Sequence, residues 1–111
     1  MQTRTDIMGK LVRDRIPEII RASGRTPNVR VLDAAAYESA LHEKLLEEAA
    51  ELREADSDER LGEAADVLEV LIALAAFHGF TLDDVVRAAE DKAVERGAFS
   101  DRLWLERVEV G

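Results

Sequence analysis

The fold is decided by residues 45–77, LLEEAAELREADSDERLGEAADVLEVLIALAAF, in which two runs of helix-forming residues are joined by a short polar turn. Each run carries two carboxylates spaced three residues apart, Glu48 with Glu51 and Glu63 with Asp66. Residues at this spacing are neighbours on a helix surface, and a short link makes consecutive helices antiparallel neighbours. The stretch therefore predicts a helical hairpin that brings four carboxylates together.

Two of these carboxylates fall where a helix should bury apolar side chains. At about 100° per residue, Glu48 lies within about 40° of Leu41 and Leu52, and Asp66 lies equally close to Val70. Isolated carboxylates are costly to bury, and several at close quarters repel one another and take up protons unless a cation neutralises them. An E-E-x-x-E run alone is more often a solvated face, but these inward positions favour a divalent metal.

The ligand set predicts which ion would bind. The chain has no cysteine, and neither His42 nor His78 has partners at zinc-site spacing, so the ligands are carboxylate oxygens. Such ligands favour Mg²⁺, or Mn²⁺, with waters and substrate phosphates completing the coordination shell. Glu47 could be a further ligand, a catalytic base or a surface residue, and Glu69 an auxiliary ligand or a solvated residue.

The rest of the chain also predicts an all-α fold. A leader from Met1 to Gly9 precedes a short helix over Lys10–Ala22, with Pro17 near its first turn. The further helices are expected over Ala34–Ala55 with Asp33 as N-cap, from Ser57 or Asp58 as N-cap to His78, and over Leu82–Arg96 with a Thr81–Asp84 capping box. Apolar residues alternate over 103–110, and this pattern would suit a minor strand paired with residues 29–32. Trp104 is interpreted as a packing residue.

Length, composition and charge limit the function. A chain of 111 residues is expected to form one domain, 1–111. Its formal net charge of −9 argues against a nucleic acid or an anionic membrane as partner. The absence of cysteine and of a signal-peptide-like start predicts a cytoplasmic protein.

The third helix predicts self-association. Apolar residues surround it almost completely between Ala64 and Phe77, a pattern typical of a helix at the centre of a bundle. So small a domain can hardly cover that surface alone, and an exposed apolar stripe favours association. A homodimer or a higher homo-oligomer is the prediction.

Taken together, the motifs resemble a known family. E-E-x-x-E over residues 47–51, followed after a turn by E-x-x-D over 63–66, is similar to the MazG-type all-α nucleoside triphosphate pyrophosphohydrolases, whose relatives include dimeric dUTPases and phosphoribosyl-ATP pyrophosphohydrolase. The opening K-L-V-R-D-R-I-P-E-I-I, residues 10–20, resembles small stand-alone MazG-like proteins. The resemblance implies a four-helix-bundle-type fold, with Glu48, Glu51, Glu63 and Asp66 as metal ligands.

The implied activity is Mg²⁺-dependent cleavage of a nucleoside triphosphate to the monophosphate and pyrophosphate, in a house-cleaning role against non-canonical nucleotides. The catalytic residues would be Glu47 and Glu48. Candidate cations for the substrate phosphates are Lys44, Lys92, Arg96, Lys10 and Arg13. For Lys44 the alternative is an i, i+4 partner of Glu48, and for Lys10 and Arg13 it is ion pairing within the leader helix. Two other functions stay open: phosphoribosyl-ATP pyrophosphohydrolase of histidine synthesis, and an inert helical dimerisation or regulatory module.

Overall fold

The computed structural model describes residues 9–111 and contains four α-helices. They are α1 (Ile16–Ala22), α2 (Ala34–Glu54), α3 (Arg60–Phe77) and α4 (Leu82–Arg96). No strand occurs among these residues, so the predicted all-α class is confirmed. Apart from Gly9, the predicted leader lies outside the described residues.

A hairpin of α2 and α3 forms the centre of the chain. Asp33 caps α2 as predicted, because its side chain accepts a hydrogen bond of 2.8 Å from the Ala36 backbone N–H. The predicted Ser57 or Asp58 cap of α3 is wrong: α3 begins at Arg60, and Glu59 precedes it without a side-chain capping bond. Residues 57–59 form a turn instead, which lets α3 pack against α2 along the hairpin.

The bounds of α4 agree with the sequence prediction at both ends. Thr81 and Asp84 form the full capping box, with hydrogen bonds of 3.1 and 2.8 Å between side chains and backbone N–H groups. Gly97 ends the helix with a φ of 81°, a conformation that glycine adopts without steric cost. Local side-chain chemistry is sufficient to set this helix, which contacts α3 over a short stretch.

The first helix is shorter than predicted. It begins at Ile16 instead of Lys10, and Pro17 lies in its first turn. A helix starting at Lys10 would place Pro17 in its interior, where the ring clashes with the preceding turn and the missing N–H breaks a hydrogen bond. Residues 10–13 therefore have no regular structure, and Leu11 packs against the core of the hairpin.

The predicted strand pair is wrong. Residues 29–32 and 103–110 have no regular secondary structure and form no backbone ladder with each other. An isolated two-stranded ribbon has little stability in water, and neither segment packs on the buried core here. Trp104, interpreted from sequence as a packing residue, is 84% exposed in the single chain.

A small apolar core holds the hairpin together. It consists of Leu41 from α2 with Val70 and Leu74 from α3. Partly buried side chains surround it: Leu11, Tyr37, Leu45 and Ala73. Because the core lies between α2 and α3, it fixes how the two carboxylate pairs face each other.

Within residues 9–111, no single helix is both long and apolar enough to cross a membrane, while α3 and α4 meet that criterion only as a pair bent by 104°.

Candidate metal centre

Three of the four predicted ligands come together in the α2–α3 hairpin. Glu48, Glu63 and Asp66 each offer a carboxylate oxygen, and these oxygens lie within 4.8 Å of one another. Glu48 comes from α2 and the other two from α3. The antiparallel packing predicted from the short turn therefore produces the expected juxtaposition.

The cluster contains buried oxygens without a hydrogen-bond partner. Glu48 is only 6% exposed. Its Oε2 atom and the Oε2 atom of Glu63 are buried, and neither accepts a hydrogen bond. Buried polar atoms are almost always paired in proteins, and carboxylate oxygens are the preferred ligands of hard divalent cations. These residues fit a divalent metal ion that would satisfy both atoms.

Glu51, the fourth predicted ligand, lies at the margin of the cluster. It is exposed and is not among the three residues whose oxygens lie within 4.8 Å. A hydrogen bond with the side chain of Glu48 raises the pKa of Glu51 above its ordinary value of 4.5, and the charge of Glu48, burial and the charges of Glu63 and Glu47 raise it further. A folded-state pKa above the unfolded one means that this group lowers stability as the pH rises past 4.5. Without a cation, the ionised side chain of Glu51 therefore lowers the stability of the fold at neutral pH.

A basic side chain of α2, Lys44, lies beside the acidic cluster. Lys44 Nζ lies 3.3 Å from Glu48 Oε1 and 4.0 Å from Glu47 Oε1. In the single chain Lys44 is thus the i, i+4 partner of Glu48, which was the alternative to a phosphate-binding role. Glu47 is partly exposed at the edge of the site, and the structure gives it no contact that separates a base from a surface residue.

The contact between Arg13 and Asp66 was not anticipated from the sequence. The Nη2 atom of Arg13 donates a hydrogen bond of 2.6 Å to Asp66 Oδ1, and Nη1 lies 4.0 Å from Glu69 Oε1. The alternative of an ion pair within the leader helix is therefore wrong for Arg13. The partners are 53 residues apart, so no local spacing could have indicated the contact. Packing of Leu11 on the core holds the segment close enough for Arg13 to reach α3.

The sequence of this chain matches the profile of a known family. The sequence profile of the phosphoribosyl-ATP pyrophosphohydrolase family matches residues 19–93, more than half of the chain. The chain belongs to this family. The phosphoribosyl-ATP pyrophosphohydrolase family is part of the MazG-like all-α nucleoside triphosphate pyrophosphohydrolase superfamily, so the predicted resemblance is confirmed.

A relative in Mycolicibacterium smegmatis, described as an uncharacterized protein, is 64% identical over 50 residues. The match covers 45% of this chain and 51% of the relative, so it spans about half of that protein's length. No solved structure matches the chain.

The match to the phosphoribosyl-ATP pyrophosphohydrolase family includes both carboxylate pairs but begins after Lys10 and Arg13 and ends before Arg96. Lys10, Lys92 and Arg96 are exposed, and none of the ion pairs found within residues 9–111 involves them. Lys92 lies on α4. This helix follows the C-terminal end of α3, whereas Asp66 lies in the N-terminal half of α3, and the two helices are bent by 104°. From helix rise alone, Lys92 lies on the order of 20 Å from Asp66. One chain therefore does not bring Lys92 to the acidic cluster, and among residues 9–111 Lys10 and Arg96 form no ion pair with it.

Proposed function

We propose that this chain is a Mg²⁺-dependent pyrophosphohydrolase that converts a nucleoside triphosphate and water into the nucleoside monophosphate and pyrophosphate. Its best substrate in this proposal is a non-canonical nucleotide. The observation that carries the proposal is the pair of buried, unpartnered oxygens of Glu48 and Glu63, set beside Asp66 in the α2–α3 hairpin. Family membership supports the same reaction class.

In this proposal the acidic residues of the site bind the metal and accept a proton. Glu48, Glu63 and Asp66, with Glu51 at the margin, hold the divalent ion. When bound, that ion neutralises the polyphosphate and lowers the pKa of a coordinated water. Glu47, at the edge of the site, accepts a proton from the attacking water. Cleavage between the α and β phosphates then needs no nucleophile from the protein.

Arg13 and Lys44 act on the phosphates. Both cations are paired with candidate metal ligands, Asp66 and Glu48, so each already stands next to the place where the metal would lie. A guanidinium has five donors and matches phosphate geometry. Arg13 can therefore keep one hydrogen bond to Asp66 while its remaining N–H groups contact the substrate.

The functional unit is proposed to be a homodimer. The radius of gyration is 19.1 Å, whereas a compact chain of this length has about 13 Å. The accessible surface is 10219 Å², against about 6,100 Å² for a compact monomer of this mass. Each chain thus exposes about 4,100 Å² more than a compact monomer, which is at least as much as each partner of an obligate dimer buries. Pairing two α2–α3 hairpins would complete a four-helix bundle and cover α3, whose Leu68 is exposed.

A nucleotide panel tests the reaction. Purified protein is incubated with Mg²⁺ and canonical, deaminated, oxidised and methylated nucleoside triphosphates, together with phosphoribosyl-ATP, and the products are separated by chromatography. We expect equal amounts of monophosphate and pyrophosphate from at least one triphosphate, and no turnover in excess EDTA. Orthophosphate with a nucleoside diphosphate, or turnover unaffected by EDTA, would contradict the proposal. Turnover of phosphoribosyl-ATP alone would assign the alternative substrate.

Replacing Arg13 with Gln is expected to raise KM for the triphosphate about tenfold, which corresponds to about 1.4 kcal/mol of lost substrate binding. The cause is the loss of a cation at an otherwise acidic site. Stability should change by less than about 1 kcal/mol, because the Arg13–Asp66 pair is about half exposed. Steady-state kinetics and urea unfolding measure the two effects.

The matched control is Arg15→Gln, which removes an arginine from the same segment whose partner is Glu18 instead of the cluster. Its KM should equal that of the unmodified protein. If both variants raise KM equally, the effect is one of net charge, and the assignment of Arg13 to the substrate fails.

A further inference from the structure

The C-terminal arm, residues 103–110, exposes an unusual amount of apolar surface. Five of its eight residues are large and apolar, and all are exposed: Leu103, Trp104, Leu105, Val108 and Val110. The arm follows a defined turn, in which the Arg102 N–H donates a hydrogen bond of 3.1 Å to the Phe99 carbonyl. Arg102 has a φ of 57°, which is sterically costly for a non-glycine residue. After this turn, the apolar side chains of the arm do not pack on the buried core of their own chain.

A matching apolar surface lies at the bend between α3 and α4. Two adjoining cavities of about 280 and 540 Å³ share Phe80 and Val85 as walls. Leu71 and Leu74 line the first cavity and Ala88 the second. We call this surface the elbow groove. It is open to solvent, and Phe80 and Val85 are exposed in the single chain.

The arm of the same chain does not fill this groove. α4 has 15 residues and is therefore about 22 Å long, so the arm begins at the far end of α4 from the groove. Trp104 stays 84% exposed. Each chain thus has one apolar arm and one apolar groove, and neither is covered. A two-fold symmetric pair of chains can satisfy both sets at once, because each partner supplies an arm and a groove.

We propose that the C-terminal arm of each chain binds in the elbow groove of a second copy, with Trp104 as the anchor. A tryptophan buries about 150–250 Å², and such residues dominate binding energy at the centres of interfaces. Two exchanged arms would contribute to the surface burial that the single chain lacks. This inference rests on the proposed homodimer but not on hydrolysis, so its test needs no substrate.

The experiment uses Trp104 as a reporter, because it is the only tryptophan of the chain. Emission wavelength and acrylamide quenching are followed over a dilution series, with sedimentation velocity on the same samples. We expect blue-shifted, protected emission where the protein is dimeric and exposed emission where it is monomeric. A dimer whose Trp104 is as accessible as in the monomer would overturn the arm proposal while leaving the dimer intact. Burial of Trp104 in samples that sediment as monomers would show that the arm folds onto its own chain, and would overturn the exchange.

Variants locate the receiving surface. Val85→Asp should weaken dimerisation at least tenfold and expose Trp104. Val94→Asp is the matched control, since nine residues correspond to a rotation of about 180° on the same helix. Trp104→Ser should weaken the dimer as much as Val85→Asp, and it cannot unfold a chain in which this side chain is already exposed. Equal effects of Val85→Asp and Val94→Asp on dimerisation, or an unchanged dimer in Trp104→Ser, would overturn the proposal.

Discussion

Replacing Glu48 with Gln is expected to lower pyrophosphate release by about 1000-fold, because a bound metal contributes several kcal/mol to the transition state and each 1.36 kcal/mol corresponds to about tenfold in rate. Glu48 is the most buried of the acidic residues at the site, and its Oε2 atom has no partner other than the ion that would bind there. An amide keeps the shape of the side chain but removes the charge that holds the ion. Initial rates at saturating Mg²⁺ and nucleotide measure the loss.

The same variant should be more stable than the unmodified protein when metal is absent. Removing one of several like charges relieves repulsion in the cluster and the cost of burying the charged Oε2 atom, which has no hydrogen-bond partner, so we expect a gain of about 1 kcal/mol in the free energy of unfolding. Added Mg²⁺ should raise the Tm of the unmodified protein and leave that of Glu48→Gln unchanged. A gain in metal-free stability together with a loss of activity would identify Glu48 as a metal ligand, because replacing a structural residue would lower both.

Glu43→Gln is the control for this experiment, since it removes the same charge from an exposed position of α2 outside the cluster. It should leave the rate, the metal-free stability and the Mg²⁺-induced Tm shift unchanged. If the two variants behave alike, Glu48 does not hold the ion, and the proposed centre is wrong.

Replacing Leu41 with Ala should lower the free energy of unfolding by about 3 kcal/mol, the usual effect of truncating a buried leucine. Leu41 is 2% exposed and belongs to a buried core of only three residues in the described part of the chain, so few contacts can compensate for the cavity. This is a large share of the stability of a small domain. Urea unfolding followed by circular dichroism in dilute protein gives the change.

The control for the core is Leu46→Ala, which removes the same atoms from an exposed site five residues further along α2. We expect a loss of less than about 0.5 kcal/mol there. Leu41→Ala should also weaken Mg²⁺ binding, because the core sets how Glu48 on α2 faces Glu63 on α3. Equal losses for the two leucines would mean that the hairpin core does not hold the site together.

Local sequence signals predicted the helices well wherever a cap or a breaker lies beside the helix it sets. Asp33, the Thr81–Asp84 box and Gly97 act within one turn, and α2 and α4 have the predicted bounds to within one residue. The start of α3 was missed because its first turn has no side-chain cap to indicate it. The start of α1 was missed because the apolar pattern of residues 10–16 reflects packing of Leu11 on the core instead of helical periodicity.

In the acidic site, too, local spacing predicted some features and missed others. Helical spacing was sufficient to pair Glu63 with Asp66 and to turn Glu48 inward, since both follow from about 100° per residue. The same spacing did not reveal that Glu51 lies at the margin, because a small rotation of α2 in the hairpin decides which of two neighbouring carboxylates is buried. Nor could it place Lys92 and Arg96, whose distance from the site depends on the bend between α3 and α4.

Local sequence patterns were enough to predict the all-α fold, the antiparallel hairpin and the inward direction of Glu48, because each depends on interactions within a few residues along the chain. The three-dimensional structure was needed to reveal that Arg13 pairs with Asp66, that residues 29–32 and 103–110 form no strand pair, and that so much apolar surface is uncovered. These features depend on packing between segments far apart in sequence, where the direction of each helix, and not the identity of any one residue, decides which side chains meet.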